Sequence, residues 1–161
     1  MRMFLIALLL ALTGLPAAAQ EAVYLIRHAE KELSGADPAL TPEGRQRASD
    51  WAEMLRHAGL DAIITSDALR TRQTGGIIAD ALGLEAAALP REDIAGLLDV
   101  LEFDHEADTV LIVGHAETIP RILAKLGLSD DVSIDQSAFA NLFVVLRPAS
   151  DDPVHLHLQM P

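Results

Sequence analysis

Residues 22–31 read AVYLIRHAEK, in which five largely apolar residues lead directly into Arg27 and His28. A short apolar run rich in branched residues is typical of a buried β-strand. The sequence therefore raises the question of why a strand built for a protein interior ends in a guanidinium and an imidazole. The other strand-like runs answer this question, because some of them are also followed by basic side chains.

The apolar runs alternate with helical patterns along the chain. Further strand-like runs occur at residues 61–65, 109–113 and 142–146. Helical spacing of apolar residues lies between the runs, at residues 42–58, 67–82, 91–103 and 117–126. This alternation predicts an α/β fold of three layers, a mostly parallel sheet with helices on both faces. Two final runs predict a C-terminal antiparallel hairpin at the sheet edge, at residues 141–147 and 153–159.

The N-terminal segment MRMFLIALLLALTGLPAAAQ has a basic start, an apolar run and a small-residue end. This is the pattern of a secretory signal peptide, and the apolar run is shorter than the ~20 residues that span a bilayer. We therefore expect residues 1–19 to be cleaved and residues 20–161 to form a single domain. The protein is then exported, to the periplasm or to the outside of the cell.

Composition excludes several classes of function. The chain has 24 acidic and 12 basic residues, a net charge of −12, so it should repel nucleic acid and, after signal cleavage, anionic membranes. It has no cysteine, which excludes thiol catalysis and a cysteine-ligated zinc site. Neither length nor composition indicates an oligomeric state.

Three of the predicted strands are followed by basic side chains. Arg27 and His28 follow the first, the segment containing Arg70 follows the second, and His115 follows the third. Parallel strands bring their carboxyl ends to one edge of a sheet, so these residues can share a pocket there. Two imidazoles and two guanidiniums in an otherwise acidic chain predict a site for a compact anion such as phosphate.

The predicted helix 67–82 carries Arg70 on a stripe with Thr74 and Ile77, which we expect to pack on the sheet. Arg72 lies on another face and is predicted to be a surface charge. Gly75 and Gly76 are predicted to allow close packing of the helix on the sheet.

The start of this helix, and the start of the helix that follows His115, should offer free N–H groups near the anion.

Four segments together resemble the histidine phosphatase superfamily, with its phosphoglycerate mutase-like fold, and most of all its small exported members. They are LIRHAEK, LTPEGRQRA, TSDALRTRQT and VLIVGHAETIP, in the expected order between residues 22 and 126. The resemblance implies that His28 is a nucleophile that becomes phosphorylated and that Arg27, Arg70 and His115 bind the phosphoryl oxygens. The implied activity is hydrolysis of phosphomonoesters or phosphorylated protein side chains. Its substrate would be a small phosphate compound or a phosphoprotein, with neither a metal nor another cofactor required.

The general acid that protonates the leaving group stays open. The resemblance points to a carboxylate within LPREDIAGLL, where Glu92 and Asp93 lie. Glu117, two residues after His115, is a third candidate. Each of the three also fits a simpler role as an acidic cap at a helix N-terminus.

Two other hypotheses come from different functional classes. The chain could be a phosphate-binding or interaction module of the same fold without turnover, and the insecure general acid favours this alternative. It could also bind a metal through His155 and His157, which share one face of the last predicted strand. Two ligands without a third nearby argue against that site.

Overall fold

The structure is a computed structural model that describes residues 22–128, 131–148, 150 and 152–160. The predicted signal peptide lies outside the described residues, so its cleavage and the export of the protein stay predictions. Within the described part of the chain, no helix combines the length and the apolar character needed to cross a membrane.

In the part of the chain that the structure describes, six strands form one sheet. The strands are β1 (Ala22–Arg27), β2 (Ala62–Ser66), β3 (Ala86–Leu89), β4 (Thr109–Gly114), β5 (Asn141–Leu146) and β6 (Val154–Gln159). Their order in the sheet is β3-β2-β4-β1-β5-β6, in which β3, β2, β4 and β1 are parallel neighbours. Strand β5 runs antiparallel to β1, and β6 runs antiparallel to β5. The predicted fold class and the C-terminal edge hairpin are confirmed.

Among the described residues, four helices cover the two faces of this sheet. They are α1 (Pro42–Leu55), α2 (Leu69–Leu82), α3 (Ile94–Phe103) and α4 (Thr118–Lys125). Strand side chains alternate between the faces, so Leu25 packs with the apolar residues of α3 and α4 while Ile26 packs with those of α1 and α2. Trp51 of α1 is fully buried in the second of these cores. The three-layer arrangement therefore follows from two apolar cores, one on each side of the sheet.

Strand β3 was not predicted from the sequence. Its residues Ala86–Leu89 are mostly alanine, which has a low preference for strands, and Ala86, Ala87 and Ala88 are exposed. The segment is extended because it pairs with β2 on one side, at the edge of the sheet. Such pairing is a tertiary contact and leaves no apolar pattern in the sequence.

The buried face of α2 differs from the predicted one. Its buried residues are Thr71, Thr74, Gly75, Ile78 and Ala79. Arg70 is half-buried at the border of this face, whereas Ile77 is partly exposed, so the predicted stripe through Ile77 was wrong. Arg72 is exposed, as predicted. The face of α2 that packs on the sheet therefore includes Gly75 and leaves out Ile77.

The two glycines of α2 have different roles. A Cβ added at Gly75 would clash with the Cγ2 of Thr65 in β2, whereas a Cβ added at Gly76 would meet no atom within 4 Å. The prediction of close helix-to-sheet packing is therefore confirmed for Gly75 and wrong for Gly76.

We expect Gly75→Ala to lower the free energy of unfolding by about 1–3 kcal/mol, because the added methyl group overpacks the contact between α2 and β2. Gly76→Ala is the matched control and should be neutral or stabilising by up to ~1 kcal/mol, since alanine favours a helix interior over glycine. Urea denaturation of the two variants measures both effects. Equal stability of the two variants would contradict the packing described here.

Candidate active site

The carboxyl ends of β1 and β4 place two histidines side by side. Arg27 in β1 pairs with Gly114 in β4, so His28 and His115 follow at matching positions on neighbouring strands. The N–H of His28 donates to the carbonyl of Gly114 at 3.0 Å, and the ring centroids of the two histidines lie 5.3 Å apart. Their exposed fractions are only 3% and 1%, so both imidazoles are buried.

His28 is held as a neutral imidazole with a defined tautomer. Its Nδ1 lies 2.8 Å from the carbonyl oxygen of Ala29, which can only accept, so Nδ1 carries the proton and Nε2 carries a lone pair. Burial lowers the pKa of His28 to about 3, against a smaller raising effect of the bond to Ala29. The guanidiniums of Arg27 and Arg70 lower this pKa further. Nε2 is therefore available as a nucleophile across the ordinary pH range.

Hydrogen bonds of its backbone N–H and of both ring nitrogens hold His115 in place. Its backbone N–H donates to Oγ1 of Thr118 at the start of α4, at 3.0 Å. Its Nε2 lies 2.8 Å from Oγ of Ser66, and its Nδ1 lies 3.3 Å from Nη2 of Arg70. Burial, followed by the charge of Arg91, lowers the pKa of His115 to about 2. This imidazole is therefore neutral in the free protein.

Arg27 uses most of its N–H groups to hold a loop. Its Nη1 lies 3.2, 2.7 and 3.3 Å from the carbonyl oxygens of Asp135, Gln136 and Ala138, and its Nη2 lies 3.2 Å from Oε1 of Gln136. The guanidinium also lies 4.2 Å from the centroid of the Phe139 ring. Its Nε is buried and has no hydrogen-bond partner among the described residues. A role for Arg27 in holding residues 135–139 was not predicted.

Arg70 lies between His115 and a carboxylate from the facing loop. Its Nη1 is 3.7 Å from Oδ1 of Asp37, and its buried Nε has no hydrogen-bond partner within the part of the chain that the structure describes. Asp37 also accepts the N–H of Leu69, the first residue of α2, at 3.0 Å to each of its oxygens. We refer to Arg27, His28, Arg70 and His115 as the anion site.

Some of the helix N–H groups expected to be free near the anion site have hydrogen-bond partners. The carboxylate of Asp37 accepts the first N–H of α2, that of Leu69. The N–H groups of Thr118 and Ile119, at the start of α4, donate to the carbonyl of His115 at 3.2 and 3.0 Å. Local turns satisfy these donors, which a reading of helix ends from sequence does not anticipate.

Arg91 is a further cation beside the anion site that the sequence did not single out. Its charge lowers the pKa of both His115 and Arg70. Its backbone N–H donates to Asp67 at 3.1 Å, and its Nη2 forms an ion pair with Glu117. Arg91 follows β3, so the unpredicted strand is what brings it to this edge of the sheet.

The three candidate acids are all engaged in other contacts. Asp93 caps α3 by accepting the N–H of Gly96 at 2.9 Å, so the capping alternative holds for this residue. Glu92 lies 3.1 Å from Nη1 of Arg121. Glu117 stands at the cap position of α4 without a capping bond and pairs with Arg91 instead. The identity of a general acid stays open.

The histidines of the last strand lie outside the anion site. His157 stacks on the ring of Phe143 at 4.4 Å, and its Nε2 lies 2.9 Å from Oδ1 of Asn141. Among the residues described, no three His, Cys, Asp or Glu side chains are placed to hold a metal ion. The metal-binding hypothesis for His155 and His157 gains no support.

An open groove of about 780 Å³ begins beside the anion site. It is lined by Arg27, Glu30, Lys31, Leu33, Thr41, Pro42, Glu43, Gln136, Ser137 and Phe139. Most of these residues lie in the segment between β1 and α1, at the start of α1, and in the segment before β5.

Comparisons with known proteins agree with this geometry. A family model described as "Histidine phosphatase superfamily (branch 1)" matches residues 23–93, which include His28 and Arg70. The solved structure of the protein histidine phosphatase SixA complexed with tungstate superimposes with a TM-score of 0.71, over 86% of this chain and 96% of that one, at 20% identity. Residues 23–93 are therefore similar in sequence to the histidine phosphatase superfamily, and the described residues share the fold of this solved phosphatase.

Two further known proteins match less of the chain. "Probable phosphoglycerate mutase GpmB" of Enterobacter sp. (strain 638) is 45% identical over 76 residues, which are 43% of this chain and 35% of that protein. The match thus spans about a third of the length of this curated relative. The native structure of a mycobacterial glucosyl-3-phosphoglycerate phosphatase has a TM-score of 0.62 at 14% identity, over 78% of this chain and 90% of that one.

We expect Arg91→Gln to weaken tungstate binding by about 10-fold at low salt, because one positive charge is lost close to the anion site. The loss should shrink as salt is added, since salt screens a partly exposed charge. Arg121→Gln is the matched control, because it removes an exposed arginine of the same group of ion pairs. Isothermal titration calorimetry measures both, and equal affinities would exclude Arg91 from the site.

We expect the buried histidines to lower the stability of the protein in acid. Their folded-state pKa values lie below the ordinary value of 6.5, so the unfolded chain binds more protons. Each histidine should lower the free energy of unfolding by about 1.4 kcal/mol per pH unit as the pH falls from ~6 towards ~3. His28→Asn should reduce this slope, measured by urea denaturation, whereas His57→Asn, at an exposed site, should not. An unchanged slope in His28→Asn would contradict burial of a neutral His28.

Proposed function

We propose that the protein is a metal-independent phosphatase that hydrolyses phosphomonoesters or phosphorylated protein side chains through a phosphohistidine on His28. One observation carries this proposal: a buried, neutral His28 with its proton fixed on Nδ1 lies beside buried guanidiniums. The Nε atoms of Arg27 and Arg70 are buried without hydrogen-bond partners among the described residues. A phosphoryl group would satisfy such donors and share their positive charge.

In the first step, the lone pair on Nε2 of His28 forms a bond to phosphorus as the bond from phosphorus to the leaving group breaks. The leaving group departs with that electron pair. Negative charge spreads over the phosphoryl oxygens in the transition state, and donors from Arg27 and Arg70 stabilise it. In the second step, water attacks phosphorus, His28 departs with its lone pair restored, and inorganic phosphate is released.

The contacts of the candidate general acids indicate which leaving groups should react best. Asp93 caps a helix and Glu117 is paired with Arg91, so neither is free to protonate a leaving group. We therefore expect leaving groups that depart without strong acid assistance to react best, such as those of aryl phosphates, acyl phosphates and phosphohistidine. A phosphohistidine protein is one substrate of this kind, and the name of the solved protein histidine phosphatase supports that choice.

The predicted signal peptide adds a proposal about where the substrate is found. If residues 1–19 direct export, the substrate is a phosphate compound or phosphoprotein of the periplasm or the exterior. The same engaged carboxylates favour the alternative, a phosphate-binding or interaction module without turnover.

We expect the purified protein to hydrolyse p-nitrophenyl phosphate and His28→Ala to lower kcat by about 10³-fold or more, because the nucleophile is lost. His57→Ala, at an exposed histidine, is the control and should keep full activity. Vanadate should inhibit, and EDTA should leave the rate unchanged.

Rapid acid-free quenching with a ³²P-labelled substrate should also trap label on the wild-type protein and none on His28→Ala. Tungstate binding without turnover by the wild-type protein would favour the binding module. Activity that EDTA removes and zinc restores would overturn the mechanism.

A further inference from the structure

The Nδ1 of His115 faces a group that can only donate. Nη2 of Arg70 lies 3.3 Å away, and a guanidinium has five N–H donors and no acceptor. The hydrogen bond between them therefore requires a lone pair on Nδ1. In a neutral imidazole, the proton must then lie on Nε2.

Ser66 accepts the hydrogen bond that this Nε2–H donates. Its Oγ lies 2.8 Å from Nε2 of His115, at the end of β2. The N–H of Ala68 also points to this oxygen, at 3.4 Å. The hydroxyl of Ser66 thus accepts from two sides, and its own hydrogen must go elsewhere.

The hydroxyl of Thr71 accepts the hydrogen bond that the hydroxyl of Ser66 donates. Oγ1 of Thr71 lies 2.7 Å from Oγ of Ser66 and, in turn, 2.8 Å from the carbonyl oxygen of Ala68. Since the carbonyl only accepts, Thr71 donates to it and accepts from Ser66. The chain of donors therefore runs in one direction, from Nε2 of His115 through Ser66 and Thr71 to Ala68. Thr71 is fully buried, which protects this chain from competing water.

We propose that Ser66 is a positioning residue that holds His115 with its proton on Nε2 and its Nδ1 lone pair towards Arg70 and the anion site. This inference rests on the proposed phosphoryl site. It assigns a role to a serine that the sequence pattern did not indicate. The hydroxyl acts on the anion only through His115.

This tautomer changes how His115 meets an anion. A lone pair on Nδ1 repels an oxyanion, so His115 binds it after taking up one proton at Nδ1. The resulting imidazolium donates Nδ1–H to the anion and keeps Nε2–H on Ser66. The proton comes from solvent or from a monoprotonated phosphoryl group, so the complex gains one proton relative to the free protein and a dianion.

The surroundings of His115 oppose protonation until an anion arrives. The charged and titratable groups that face it are Arg27 and His28 from the end of β1, Arg70 from α2 and Arg91 from the segment after β3. On the same segment as His115, Glu117 forms an ion pair with Arg91. These cations keep the pKa of His115 low in the free protein, and a bound dianion would offset them.

The first test reads the tautomer in the free protein. Nitrogen-15 NMR of the histidine rings should show a protonated Nε2 and a bare Nδ1 for His115, assigned by the loss of its signals in His115→Gln. Ser66→Ala should give a mixture of tautomers, and Ser66→Thr should restore the wild-type spectrum. A wild-type His115 with its proton on Nδ1, or an unchanged tautomer in Ser66→Ala, would overturn the proposal.

The second test uses tungstate, which stays a dianion at neutral pH. Calorimetry in two buffers of different ionisation enthalpy should show close to one proton taken up per tungstate bound by the wild-type protein and by His28→Asn. In Ser66→Ala the uptake should fall well below one, and tungstate affinity should drop about 10-fold, because a hydrogen bond to a charged ring is lost. Ser66→Thr should recover both values.

The two readouts separate the proposals. Failure of the wild-type protein to bind tungstate would overturn the proposed function, and the ring spectra of the free protein would still decide the role of Ser66. Undiminished proton uptake in Ser66→Ala would overturn that role even in an active phosphatase.

Discussion

The centre of the site depends on the parallel pairing of β1 with β4. The pairing sets Arg27 opposite Gly114, so the next residue on each strand is a histidine. Because side chains alternate along a strand, a register shift of one residue would send these side chains to different faces. The two apolar cores enforce the register, since both faces of the central strands must bury their branched residues.

The site concentrates positive charge in a strongly acidic protein. Net charge of the whole chain is −12, yet guanidiniums surround two buried histidines at the ends of the central strands. Burial and these neighbours act in the same direction on the imidazoles and keep them neutral. Neutral rings beside fixed cations suit an incoming anion, because one ring can attack while the guanidiniums hold charge.

The guanidiniums also organise the protein around the site. Arg27 ties β1 to residues 135–139 through backbone carbonyls, which brings Phe139 over the edge of the sheet. Asp37 joins the loop after β1 to the start of α2. The arginines proposed to bind the anion therefore also hold the fold, so a variant at Arg27 tests both properties together.

The sequence alone determined the layered fold, five of the six strands and the four helices, because apolar periodicity records which faces are buried. It also indicated that Arg27, His28, Arg70 and His115 follow strands or lie near their ends. It missed β3 because alanines at an edge carry no such pattern, and with β3 it missed Arg91.

Only the tertiary structure decided the partners of these residues: Ser66 on His115, the carbonyl groups on Arg27, and Asp37 on Arg70. It also decided which carboxylates are engaged. Hydrogen bonds between residues far apart in sequence depend on distance and direction in the folded chain, and residue type and spacing do not encode these.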